Sequence, residues 1–342
     1  LFSSFFLFGQ TNDTIGINYE LDEVIVTAQI KKQKKANTLQ RIRLIVSDKI
    51  ESGMFTNLSE LLQQENNIQI SEDNILGSSV KIQGISGQNV KILIDDMPVI
   101  GRLNGNIDLS QINLANVKQV EIVEGPLSVN YGTNALAGTI NIITKKRHDN
   151  TINLSLNSFY ETVGRYNSDL FFAYKLKQNT FSFEGGRHYF SGWSEHDKFK
   201  LFPVKEPADT NRFKSWKPKE KTFGKLQHLY STSSCNARTY LSYFYEKITN
   251  RGFPRAPYYE TAFDDYYYTH RRDVGSDISF LMENKKIHFL LGYNHYTRIK
   301  NTLYKDLTTL NETFVKNNSS QDTSHFSMLI GKCSFSSTER ED

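Results

Sequence analysis

The chain has 342 residues, with 41 Lys and Arg against 37 Asp and Glu, a net charge of +4. That length exceeds one ordinary domain and suits two. The balanced charge excludes a nucleic-acid binder that works by bulk charge, and no stretch reaches the ~18 to 20 consecutive apolar residues of a membrane-spanning helix. Only 38% of residues are hydrophobic, yet 13% are aromatic, with 23 Phe and 18 Tyr. Disordered chains are aromatic-poor. A β protein with one polar and one apolar face fits, including the kind that crosses a membrane.

In chain order, Leu1–Gln10 (LFSSFFLFGQ) reads as the remnant of a secretory signal, or else as a short buried strand. Residues 11–40 form a polar tether ending in Lys31-Lys32-Gln33-Lys34-Lys35. Within it lies one island, Leu21-Asp22-Glu23-Val24-Ile25-Val26-Thr27-Ala28, whose β-branched run favours an extended conformation. An isolated strand-former on a tether suits pairing with another protein's sheet edge.

Residues 41–147 carry mixed α and β signals. Thr56 or Asn57 caps a helix over 58–64 with Leu58, Leu61 and Leu62 on one face. Strands are expected at 68–71, 80–83, 90–94, 117–123 and 139–144. Between them lie Gly84–Gly87, the pair Asp95-Asp96 before Met97-Pro98, and the loop Gly101–Asn106, all turn chemistry.

From residue 150 the pattern becomes strict alternation: Ile152, Leu154, Leu156 and Tyr160, then Tyr166, Leu170, Phe172, Tyr174 and Leu176. About eight such strands of ~10 residues or more are expected. Their connections alternate. Short links near 177–179, 231–236 and 283–285 are each followed by a long one, at 191–220, 249–266 and 299–321. Outer-membrane barrels place short turns on the periplasmic side and long loops outside; a soluble β-sandwich is the other reading. Cys235 and Cys333 stand 98 positions apart without metal-site spacing, and read as two free thiols or one long-range disulfide.

Several stretches together resemble a TonB-dependent outer-membrane receptor. Leu21–Ala28 is similar to a TonB box of the Bacteroidetes type. Leu58–Leu62 with Asn67–Ile70 resembles the opening of the plug domain, and Val90–Val99 (VKILIDDMPV) stands where the family writes LIDGVPV. The most specific block is Val120–Lys145 (VEIVEGPLSVNYGTNALAGTINIITK), with Glu121, Gly125, Pro126, Tyr131, Gly132, Gly138 and Asn141 at family positions. Two residues depart from the pattern. Gln83 replaces an Arg before Gly84, losing a charge expected to pin plug to barrel, and Asp96 replaces a Gly.

The resemblance implies an α+β plug domain (41–147) followed by antiparallel transmembrane β-barrel strands (150–342). About eight are expected here out of the ~22 of a closed receptor barrel. It therefore implies a fragment, and eight strands with two open edges are not expected to insert as a working transporter.

The implied function is energised uptake of a scarce, bulky ligand such as a ferric siderophore, cobalamin or haem. The implied partners are the TonB C-terminal domain of the TonB-ExbB-ExbD system, outer-membrane lipid, and a small-molecule or metal-chelate ligand. No resident cofactor, metal site or nucleic acid is implied. A passive outer-membrane pore is the alternative. Arg102, Asn104 and Asn106, with Asp73 and Asn74, are candidate apical ligand contacts; Trp193, Trp216, Tyr258 and Tyr259 are candidate stacking groups. No His precedes residue 148, so the plug offers no axial haem ligand, and His188 and His196 are the candidates for one. No His-Glu-x-x-His, Gly-x-Ser-x-Gly or phosphate-cradling Gly loop is present, and Asp95-Asp96 reads as a turn rather than an acid/base couple.

Overall fold

The computed structural model describes residues 42–86, 89–101, 106–125, 135–145, 150–197, 212–282, 285–316 and 320–337, and the backbone of 24–25 and 33–34. The last two stretches are short strands, β1 (Val24–Ile25) and β2 (Gln33–Lys34), paired antiparallel.

The N-terminal unit is built on a five-stranded sheet. In chain order its strands are β3 (Ile42–Val46), β7 (Val90–Ile94), β8 (Met97–Pro98), β9 (Val117–Glu124) and β10 (Gly138–Thr144), and their order across the sheet is β3-β9-β10-β7-β8. Only β10 and β7 run parallel. All seven residues of β10 are buried, as the near-continuous apolar run Gly-Thr-Ile-Asn-Ile-Ile-Thr requires of a central strand. A smaller sheet of β4 (Ile68–Asp73), β5 (Gly77–Ile82) and β6 (Ile85–Ser86) packs alongside.

Two short helices close the core. In α1 (Ser47–Ser52) only Ile50 is buried. In α2 (Leu58–Leu62) Leu58, Leu61 and Leu62 are all buried. The Asn57 side chain accepts from the Glu60 amide at 3.2 Å, and Glu60 in turn accepts from the Thr56 amide at 2.8 Å, so α2 starts where the sequence places it. These leucines join Ile45, Ile82, Ile92, Val120, Ile122 and Ile140 in one core. Each such buried side chain contributes about 1.5–3 kcal/mol.

The second unit is a single antiparallel wall. Its strands are β11 (Ile152–Glu161), β12 (Arg165–Leu176), β13 (Asn179–Phe190), β14 (Lys219–Ser231), β15 (Cys235–Arg251), β16 (Thr261–Met282), β17 (Lys285–Asp306), β18 (Glu312–Phe314) and β19 (Asp322–Ser337). Each long strand pairs with the next, β17 pairing with both β18 and β19. The eight long strands match the alternation in sequence. The loops are shorter than expected, because β15 and β16 take over 249–251 and 261–266, and β17 takes over 299–306.

The polarity of the wall is inverted. Leu154, Leu156, Leu226 and Leu329 on its convex face are 57–83% exposed. Asn167, Arg238, Glu246, Asn294 and Arg298 on its concave face are buried against the N-terminal unit. Cys235 and Cys333 are free thiols.

Candidate functional site

The residues with chemistry to offer lie where the N-terminal unit meets the concave wall. The first contact is the hairpin turn between β7 and β8. Ile94 pairs with Met97, leaving Asp95 and Asp96 as a two-residue turn with φ of +49° and +67°. Both positive values belong to the tight hairpin turn that Asp tolerates and Gly favours.

Asn141 holds that turn from β10. Its side chain accepts from the Asp96 amide at 3.2 Å and donates to the Asp96 carboxylate at 2.9 Å. The neighbouring Asp95 carboxylate is buried; it accepts from the Thr144 amide at 3.0 Å and the Thr144 hydroxyl at 2.6 Å. The Arg238 guanidinium of β15 donates to the same carboxylate. Arg238 reaches on to Asp277 of β16 at 3.4 Å, and Asp277 faces the His288 ring of β17 at 2.7 Å. One carboxylate of the N-terminal unit thus anchors a relay across three strands of the wall.

A second contact forms at the 3-10 turn Leu109–Gln111. One oxygen of Asp108 accepts from the Ser78 amide (3.0 Å), the Ser78 hydroxyl (3.1 Å) and the Ser110 amide (3.0 Å). Burial alone would raise the Asp108 carboxyl. The Lys221 and Lys219 ammonium groups and the bonds from Ser78 and Ser110 outweigh it and hold the carboxyl below the ordinary value. Only glycine fits at Gly77, where φ is +86° and an added Cβ would lie 2.1 Å from the Asp108 carboxyl carbon. Lys221 donates to the Ser110 carbonyl at 2.7 Å, and Gln111 donates to the fully buried Glu246 at 3.3 Å.

Further contacts are lighter. Asn113 donates to Asp169 at 3.2 Å, Asn74 donates to the Ser215 carbonyl at 2.8 Å, and Glu60 faces Arg165 at 3.7 Å. A cavity of about 140 Å³ lies between the units, its wall largely apolar (Met97, Val99, Ile142 and Phe223) with Asp95, Glu184 and Lys225 at its polar side. It is below the ~300 Å³ usual for a small-molecule pocket. The interface thus combines ion pairs and hydrogen bonds with apolar contacts, such as Met97 against Gly292 and Gly101 against the Tyr296 ring.

Among protein families, the model of the TonB-dependent receptor plug domain matches residues 34–139, from before β3 to the start of β10. The chain carries a TonB-dependent receptor plug domain. Over 128 residues it is 34% identical to the vitamin B12 transporter BtuB of Vibrio cholerae serotype O1, an alignment covering 37% of the chain and 21% of that protein. The chain thus spans about a fifth of the curated relatives it matches. Among solved structures, it superposes on a chain of the FpvAI–pyocin S2 complex with a TM-score of 0.51 and 12% identity, covering 82% of this chain and 44% of that one. Against the unliganded ferric citrate transporter FecA the TM-score is 0.50 at 14% identity, covering 87% and 54%. At such identities the likeness is one of fold: a plug seated on strands of a receptor barrel.

Within the plug, the family-pattern residues fall into distinct places. Glu121 is fully buried in β9 and accepts from Gln119 at 2.6 Å. Gly125 and Gly138 have φ of +99° and +147°, and a Cβ at Gly138 would lie 2.3 Å from the Val123 carbonyl oxygen. Pro126, Tyr131 and Gly132 lie outside the described residues, as do Arg102, Asn104 and, of the TonB-box segment, Leu21, Asp22, Glu23, Val26, Thr27 and Ala28. Gln83 donates to Glu124 at 3.0 Å within the plug, and Arg43 supplies the cation there.

The candidate ligand contacts are not drawn into one pocket by the geometry described. Asp73 folds back onto its own turn, accepting from the Ile75 and Leu76 amides at 2.7 and 2.6 Å. Asn106 is half-buried next to buried Ile107. Trp193 and Trp216 bond each other through main-chain pairs of 3.0 and 2.9 Å, with ring centroids 5.2 Å apart, and so tie the base of the 191–218 loop. Tyr258 and Tyr259, 81% and 63% exposed, stand on the 252–260 loop. His188 faces Asp169 at 2.8 Å.

Arg238, Lys221 and Glu246 escape notice in the sequence, which marks Asp95 as a turn residue and no more. The wall residues stand at polar positions of alternating strands, where the pattern marks a face but not what covers it.

Proposed function

We propose that the chain is the plug and leading barrel wall of an outer-membrane receptor that takes up a scarce, bulky ligand by TonB-coupled transport. The observation that carries this reading is the seating of a plug domain, through ion pairs and hydrogen bonds, on the polar face of a wall whose other face is apolar. A passive pore has no use for a folded plug held this way. The ligand class is cobalamin or a metal chelate such as a ferric siderophore or haem. The match to vitamin B12 transporters supports cobalamin as the first to test. Ligand would enter from the side of the long loops and meet the plug's apical turns.

On the periplasmic side, Leu21–Ala28 would pair with the edge of the TonB C-terminal domain. Main-chain bonds supply affinity for such pairing with little demand on sequence. Val24→Pro or Ile25→Pro in the full-length receptor is expected to abolish uptake of radiolabelled cobalamin, ferric siderophore or haem while leaving ligand binding to whole cells intact. Unchanged uptake in both variants overturns the role of this segment, and uptake independent of the proton gradient favours the pore.

A further inference from the structure

Two arginines on the convex face of the wall, Arg187 and Arg272, differ in a way that points to a ligand. Arg187 of β13 is satisfied within the protein: its guanidinium donates to Glu220 at 2.6 and 2.8 Å and lies over the rings of Tyr166 and Tyr189. Arg272 of β16 is exposed, and among the described residues no carboxylate stands within ion-pair range of it. Around Arg272 the strand register gathers three imidazoles. His295 lies directly opposite it on β17. One pair further along, His270 faces Thr297, and Thr297 faces His325 of β19. The His295 and His325 rings meet edge to face at 4.5 Å. Tyr243 bonds His270 at 2.9 Å, Ser327 bonds His295 at 3.0 Å and Thr297 bonds His325 at 3.1 Å. The patch is a two-row array of donors on three adjacent strands, and no Asp or Glu occupies its outward positions.

Its depth agrees with this. From Met282 to Val274 the outward residues of β16 are Met282, Phe280, Ile278, Ser276 and Val274. Nine residues at ~3.3 Å each, tilted by ~40°, span about 23 Å, close to the ~25 Å apolar band of such barrels. Arg272 is the next outward position, where lipid headgroups begin.

We propose that Arg272, His295, His270 and His325 form a binding site for the phosphate-bearing headgroup of an outer-leaflet lipid. The acyl chains lie along Leu241, Val274, Tyr293 and Leu329, and the phosphate oxygens accept from the guanidinium and imidazoles. The inference rests on the reading that the convex face contacts lipid.

The test uses the full-length receptor, purified in mild detergent and titrated with bisphosphorylated lipid A or with its dephosphorylated form, with bound lipid counted by native mass spectrometry. The receptor is expected to hold the phosphorylated lipid at about tenfold lower concentration. Arg272→Gln combined with His295→Gln and His325→Gln is expected to erase that preference, while Arg187→Gln retains it. If the triple variant fails to fold, Arg272→Gln alone is expected to lose most of it, and Arg272→Lys to restore it. Equal retention of both lipids by the unaltered receptor overturns the site, as does an unchanged preference in the variants. Competition by millimolar inorganic phosphate would reassign it to a free anion and overturn the lipid reading. Loss of heat-modifiable migration in the unaltered receptor would overturn the barrel reading itself, a result distinct from loss of headgroup preference.

Discussion

The plug and the wall are built from similar strands under opposite rules. In the plug, Ile92, Val120, Ile122 and Ile140 turn inward and the polar groups that remain inside, such as Asn141 and Asp95, are tied by hydrogen bonds. In the wall, Leu154, Leu156, Leu226 and Leu329 turn outward, and Arg238, Glu246 and Asn294 face in. The plug is held together by water exclusion, and the wall by its hydrogen-bonded ladder and by what surrounds it. The boundary between them consequently takes charged and amide groups from both sides.

Substitutions that treat the two regions alike should give unlike results. The largest effect is expected at their shared boundary: Arg238→Ala leaves Asp95 and Asp277 facing each other without their cation, at a cost of about 3–5 kcal/mol. Urea unfolding of the plug in the intact receptor would report it, and Asp95→Asn in the same chain should recover a large part. No destabilisation would remove Arg238 from the contact.

Leu61→Ala and Leu154→Ala form a matched pair. The buried plug leucine should cost about 2–5 kcal/mol, whereas Leu154, 70% exposed on the convex face, should cost under about 1 kcal/mol in detergent. Equal losses in the two variants would abolish the contrast.

Asp108 gives a smaller, pH-dependent effect. Its carboxyl is held below the ordinary value, so its contribution is fully present above the unfolded-state pKa of about 3.9 and is lost as pH falls through the lower folded value. Asp108→Asn should flatten that acid limb of the stability curve without changing its slope at alkaline pH.

The smallest effect is expected at the α2 cap, where Asn57→Ala removes the bond to the Glu60 amide and costs about 1 kcal/mol by thermal melting.

Much of this architecture was legible in the residues. Alternation with a period of two marked eight strands because each has one apolar and one polar face, and Asn57 and Glu60 marked the start of α2 through local bonds alone. The strand Ile42–Val46 and helix Ser47–Ser52 were not anticipated; both are short, and their identity depends on docking against β9. The lengths of β16 and β17 were hidden for a related reason. Beyond the apolar band, tyrosines, lysines and aspartates continue the ladder without continuing the hydrophobic pattern. The boundary contacts were the least legible. An Arg at a polar strand position reads as solvated; Asp277 faces Arg238 across the ladder, but its Asp95 partner is supplied only by the seating of the plug turn. Asp96 was readable as a departure from glycine, and its φ of +67° shows that the turn kept its left-handed geometry despite the change.

The position of β3 has a mechanical meaning. This strand is the edge of the plug sheet nearest the tether, joined to β9 over five residues, from Ile42 opposite Val123 to Val46 opposite Gln119. Any pull applied from the N-terminal side would reach this sheet at Ile42, with Arg43 and its ion pair to Glu124 one residue behind. A strand pulled from its end at a sheet edge opens like a zipper, one pair at a time, and its first charged fastener is Arg43–Glu124. The sheet order thus puts a tear strip, β3, between the N-terminal side and the central strands β10 and β7.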